Sequence, residues 1–206
     1  MTYYKATRVD GTSFYDHKTK WGVGSITRIA GPARTTLCGP GILHASSELG
    51  ETLGANVWPC RLFSIEPRGE VVTHPDILWK VGCKAWMVVE ELPAWQLFGP
   101  NGERVVKLID RCGTLTADDF TRLIAADKGP YTSLRLARYP HRDSHKNAAW
   151  DAVLYTLRDT LYMSENKRAY KRVIVDATTA LVLYDLIPTD LFDALYSPWR
   201  EVCGDV

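Results

Sequence analysis

The hydrophobic pattern of this chain changes period near its midpoint, and that change limits the fold more than any other feature. Up to about residue 98, apolar residues come in short alternating runs: Tyr3 to Arg8, Ile42 to Ala45, Cys60 to Ile65, Glu70 to Thr73 and Lys84 to Leu92. A period of two sends successive side chains to opposite faces of a strand. In the last run Ala85, Met87 and Val89 face one way, and Trp86 and Val88 the other. Turn residues separate the runs at Asp10-Gly11, Gly39-Pro40-Gly41, Gly69 and Gly99-Pro100-Asn101-Gly102. Residues 12–36 leave room for at most a short strand. Ser46 or Ser47 is placed to N-cap a brief helix carrying Leu49 and Leu53, with Gly54 ending it. A last hairpin arm is expected at Arg104–Ile109.

Beyond that point the period is 3.6. Thr116-Ala117-Asp118-Asp119 reads as a helix cap ahead of Phe120, Leu123 and Ile124. A second helix from about Asn147 carries Trp150, Val153, Leu154, Leu157 and Leu161 on one face. A third, about Lys167–Leu186, is apolar around most of its second half, as expected of a helix at the centre of a bundle. Pro188 ends it, Thr189 is placed to cap the next, and Ser197-Pro198 restarts a final turn. The expected fold is α+β: a strand-rich domain over 1–98 and a mostly helical domain over 99–206.

Composition narrows the function classes. Apolar residues make up 46% and charged residues 24% of the 206, an ordinary globular balance that argues against disorder. A net charge of +1 supplies no global field toward a polyanion, so nucleic acid would need a local basic patch. Such patches lie at Arg135, Arg138, Arg142 and Lys146 around Tyr139, and at Lys167, Arg168, Lys171 and Arg172 around Tyr170. The segment from Arg135 to Lys146 is the candidate contact for a host protein or nucleic acid. A solvated helix face is the plainer reading of both.

The five cysteines, Cys38, Cys60, Cys83, Cys112 and Cys203, are odd in number and never paired as C-x-x-C. Free thiols without a metal are expected. His141 and His145 stand four apart but follow Pro140, which favours a polar linker over a metal site. No apolar run approaches the ~18 residues of a membrane span. The opening residues lack the basic and apolar regions of a signal peptide, so cytoplasm is the expected compartment. No P-loop, dinucleotide glycine fingerprint, G-x-S-x-G or H-E-x-x-H motif occurs.

One segment carries a resemblance. Leu37-Cys-Gly-Pro-Gly-Ile-Leu-His-Ala-Ser-Ser-Glu-Leu-Gly-Glu-Thr-Leu-Gly54 resembles the strand-to-helix element of the ADP-ribosyltransferase fold, as in the poly-ADP-ribose polymerases. Tyr4-Lys5-Ala6-Thr7-Arg8 takes the place of the family's opening strand. Leu62 to Val72 resembles its strand–Gly–strand unit, and Lys84 to Glu90 its later strand. The similarity covers about the first half of the chain. It implies NAD as the ligand, with Thr7, Arg8, Gly41, His44 and Ser46 around it. The family's first-strand histidine falls near Ala6 or Thr7, and its stacking tyrosine near Leu43 or His44. Its catalytic glutamate falls near Lys84 or Ala85, which leaves Glu70 and Glu90 as the candidate carboxylates. The whole chain also resembles proteins of actinobacterial viruses, through Leu-Cys-Gly-Pro-Gly and the closing Ala-Leu-Val-Leu-Tyr-Asp-Leu-Ile.

Two expectations follow from the resemblances. One is a viral or prophage enzyme that transfers ADP-ribose from NAD to a host macromolecule. The other is a non-catalytic protein-interaction module on the same scaffold.

Overall fold

The computed structural model describes residues 1–31, 37, 41–53, 58–127, 144–157 and 167–206. The chain is α+β, with its strands in the N-terminal half and its helices in the C-terminal half. Among the described residues the strands are β1 (Tyr3–Thr7), β2 (Ile26–Arg28), β3 (Leu43–Ser46), β4 (Arg61–Pro67), β5 (Val72–Thr73), β6 (Lys80–Cys83) and β7 (Ala85–Leu92). They form one antiparallel sheet in the order β2-β7-β4-β1-β3-β6-β5.

Pairing register assigns the two faces. Tyr3 opposes Ile65 and Lys5 opposes Phe63, so the odd positions of β1 and β4 share a face. That face buries Tyr3, Leu43, Ala45, Phe63, Ile65, Val81, Trp86 and Val88 around Trp21. The Trp86 indole meets the Tyr3 ring edge-on and donates to the Leu43 carbonyl at 3.0 Å, which satisfies its one polar atom. Ala6, Ser46, Leu62 and Ser64 alternate to the opposite face and are buried as well. A bulge between Ser64 and Ile65 lets Glu90 oppose Ser64 while Val88 opposes Ile65.

Three expectations change in this half. Residues 47–53 form turns and bends instead of a helix. The Ser46 hydroxyl accepts from the Glu48 amide at 3.0 Å and donates to the Glu48 carbonyl at 2.6 Å, closing a local turn that competes with a helical start. Glu70 stands outside the short β5. Lys80–Cys83, not anticipated as a strand, is β6.

Among the described residues the helices are α1 (Gly102–Cys112), α2 (Ala117–Ala126), α3 (Ser144–Thr156), α4 (Lys167–Val182) and α5 (Thr189–Cys203). The expected hairpin arm at Arg104–Ile109 is instead helical. Val105, Leu108, Ile109 and Cys112 recur at helical spacing and are all buried, so the stripe decides against a strand. Thr116 and Asp119 form a reciprocal capping box at the start of α2. In α3 the buried residues are Ala148, Ala149, Ala152 and Val153, a face turned toward the alanines and continued by buried Leu157 just past the helix end, while Trp150 and Leu154 are half-buried. Leu161 lies outside the described residues. α4 packs against each of the other four helices. α5 continues through Pro198 with no fresh start at Ser197.

Contacts divide the chain into two compact units, Met1–Leu97 and Phe98–Val206. No helix among the described residues is long and apolar enough to cross a membrane.

Candidate functional site: a cleft at the β1–β3 junction

β1 runs beside β4 over five residue pairs but meets β3 at one, Tyr4 opposite Ser46. At this junction lies a cavity of about 220 Å³ lined from β1 by Tyr4, Lys5 and Ala6 and from β3 by His44, Ala45 and Ser46. Glu51 and Thr52 from the following turn, with Trp79 and Lys80 at the start of β6, complete it.

The strand register explains the grouping. Tyr4 opposes Ser46 and Ser46 opposes Lys80, so the three share one rung and one face. His44, two residues before Ser46, points to that face too. The site therefore combines two cations, a carboxylate, an imidazole and hydroxyls beside two aromatic residues.

Electrostatics follow from burial. Desolvation pushes the His44 imidazole down to about 4, with Lys80 and then Lys5 adding repulsion, so the ring is neutral at physiological pH. Desolvation lowers Lys5 to about 8, and Asp16 offsets part of that. Lys5 sits at an odd position, on the core side of the sheet. Its ammonium lies 5.2 Å from the Trp21 ring centroid and donates to the His44 carbonyl at 3.1 Å.

The residues expected from sequence do not all meet. His44 and Ser46 line the cleft together. Gly41, with φ +101, makes the turn that leads into β3. Thr7 is fully buried on the opposite face, its hydroxyl donating to the Arg8 carbonyl at 3.0 Å. Arg8 is exposed beyond β1, with a guanidinium nitrogen 3.4 Å from His17 Nδ1. Glu70 is exposed in the connection between β4 and β5. Glu90 shares the rung of Ser64, Tyr4 and Ser46, but three strand spacings separate it from Ser46, roughly 14 Å. Neither glutamate lines the cleft; Glu51 does.

Sequence reasoning missed Tyr4, Lys5, Glu51, Trp79 and Lys80 as a group. Lys5 alone left a signal, a lysine at the inward register between Tyr3 and Thr7. Trp79 and Lys80 enter through the β3–β6 pairing, which no local pattern reports.

Elsewhere, Cys60, Cys83 and Cys112 are buried free thiols and Cys203 is half-buried. Burial pushes Cys60 up to about 12 and Cys112 higher still, so both stay protonated and weakly nucleophilic at neutral pH. Among the described residues no three His, Cys, Asp or Glu side chains gather as a metal site. Arg135, Arg138, Tyr139, His141 and Arg142 lie outside the described residues, as does Cys38. Lys146 is described, its ammonium 4.9 Å from the Trp150 ring centroid. No protein-family model, curated protein or solved structure matches this chain.

Proposed function

We propose that the N-terminal unit binds NAD in the β1–β3 cleft and that the protein is an ADP-ribosyltransferase-like factor of a virus or prophage. It would act in the host cytoplasm on a host macromolecule. The observation that carries the reading is the convergence of His44, Ser46 and Lys80 with Tyr4 and Trp79 on one cavity. Cations suit pyrophosphate, aromatic rings suit a flat base, and a neutral imidazole can hydrogen-bond an uncharged carboxamide.

Size sets a condition. A cavity of about 220 Å³ is below the ~300–1,000 Å³ of most small-molecule sites, so it suits one half of a dinucleotide. Transfer of ADP-ribose also needs a carboxylate beside the ribose, where positive charge develops. Glu51 is the carboxylate of this cleft, and the role passes to it from Glu70 and Glu90.

The test is calorimetry with millimolar NAD, followed by a glycohydrolase assay. Wild type should bind, Ser46→Ala and Lys80→Ala should bind more weakly, and Glu51→Gln should bind but lose turnover. Absence of binding at millimolar NAD would retire the reading. Binding without turnover in wild type would leave the second reading, a non-catalytic interaction module, which the distance of Glu70 and Glu90 from the cleft favours.

A further inference from the structure

The C-terminal unit holds a cavity of about 410 Å³, within the ~300–1,000 Å³ usual for small-molecule sites. One face of α5 forms its wall. Thr189, Phe192, Asp193, Tyr196 and Arg200 follow one another at helical spacing, and all line it. Arg104 of α1 and Tyr184, just beyond α4, stand across from them.

The wall is aromatic. Tyr184 meets Phe192 edge-on at 5.0 Å, and Phe192 stacks on Tyr196 at 5.2 Å. The Arg104 guanidinium lies over the Tyr184 and Tyr196 rings at 5.5 and 5.9 Å. Tyr184 is still 46% exposed, so part of its ring remains open for stacking.

The polar groups divide into two sets. Tyr196 donates to Asp205 at 2.9 Å, while Arg104 donates to the backbone oxygen of Val206 at 2.9 Å and to Asp205 at 3.4 Å. These bonds fasten one side. Arg200 and Asp193 are held less tightly: their contact is 3.6 Å, beyond hydrogen-bond length, and their side chains are 45% and 53% exposed. A guanidinium fork beside a carboxylate thus keeps donors and acceptors for a ligand edge. Two arginines balance two aspartates, so the lining offers hydrogen-bonding groups without a net formal charge.

Guanine matches that pattern. Its O6 and N7 accept from an arginine fork, and the adjoining N1–H and 2-amino group donate to a carboxylate. Adenine lacks O6 and the 2-amino group. We propose that the C-terminal unit binds guanine stacked on Tyr184, with Arg200 donating to O6 and N7 and Asp193 accepting from N1–H and the 2-amino group. The base could belong to a free guanine nucleotide or to an unpaired guanine in single-stranded RNA, because the same edge is recognised. The site lies in a different unit from the NAD cleft and does not depend on that reading.

The experiment is calorimetry on the full chain with GMP, AMP and CMP, and with short single-stranded RNAs that contain or lack guanine. GMP should bind about ten-fold or more tightly than AMP or CMP, the discrimination expected of a bidentate base contact. Asp193→Asn should weaken GMP binding and narrow that preference, and Arg200→Ala should narrow it further. Tyr184→Ala should weaken GMP binding and Tyr184→Phe should retain it. Circular dichroism would confirm that these exposed variants fold. Guanine-containing RNA binding more tightly than GMP would assign the polymer as the source, and equal affinity would assign the free nucleotide. Equal binding of GMP and AMP, or a GMP affinity unchanged by Asp193→Asn, overturns the proposal.

Discussion

His44 and Lys5 are ionisable groups placed where the sheet desolvates them, and both titrate below their ordinary values. The consequence for stability has a definite sign. The folded state holds His44 down to about 4 from 6.5, so between those values the unfolded chain binds more protons. Stability contributed by the neutral imidazole is therefore complete above pH 6.5 and is lost as pH falls toward 4. Lys80 and Lys5 share the cleft with the ring and add repulsion to its desolvation. Melting temperatures taken between pH 7 and pH 4.5 should fall for wild type and fall less for His44→Gln. An identical slope in the variant would show that His44 is not the group responsible. Lys5 works in the same direction in another window. Its folded value of about 8 lies below 10.5, so stability should rise with pH between them.

At the scale of elements, the described helices are held by caps and buried stripes that single changes can probe. Leu157 is 1% exposed just past the end of α3, so Leu157→Ala should destabilise by about 2–5 kcal/mol, the cost of a cavity in a packed core. A loss below about 0.5 kcal/mol in denaturant melts would be typical of a surface site and would contradict that burial. Thr116 accepts from the Asp119 amide at 3.2 Å while Asp119 accepts from the Thr116 amide at 3.0 Å. Thr116→Ala should therefore cost about 0.5–2 kcal/mol. These features were legible because they are local: a cap and a 3.6 period need only neighbouring residues. The misread elements show where local reading stops. Arg104–Ile109 is rich in Val and Ile, which suit a strand as well as a buried helix, and the i, i+3, i+4, i+7 stripe to Cys112 becomes decisive only with the longer span. The expected helix after Ser46 had about seven residues with Gly50 among them, too short to offset nucleation without packing. Pro198 lacks an amide hydrogen, yet α5 carries it between buried Tyr196 and Trp199, so tertiary packing overrides the local penalty. The cleft was half legible for the same reason. His44 and Ser46 share a face by alternation alone, whereas Lys80 joins them through a partner strand more than thirty residues away.

Among the described residues one core gathers around Trp21 and Trp86 and another around α4, each inside its own compact unit. Each unit contributes one of the two cavities described above, and no residue lines both. A ligand that binds only the folded form stabilises by RT ln(1 + [L]/Kd), about 2.7 kcal/mol at one hundred times Kd. That energy acts on the amides whose opening destroys the site, because hydrogen exchange proceeds through local and sub-global unfolding units. NAD, on the reading proposed above, should slow exchange most in β1, β3 and β6, the strands that bring Tyr4, His44, Ser46 and Lys80 together. GMP should slow it most in α5 and around Tyr184. The measurement is hydrogen–deuterium exchange of the full chain with each ligand singly and then with both. Protection by NAD centred on Phe98–Val206, or by GMP centred on Met1–Leu97, would refute the corresponding site assignment even if binding were confirmed. Additive protection with both ligands would mean that the sites bind independently. A change in the affinity for one ligand on saturation with the other would instead measure a coupling free energy, and linkage requires the reverse experiment to return the same factor.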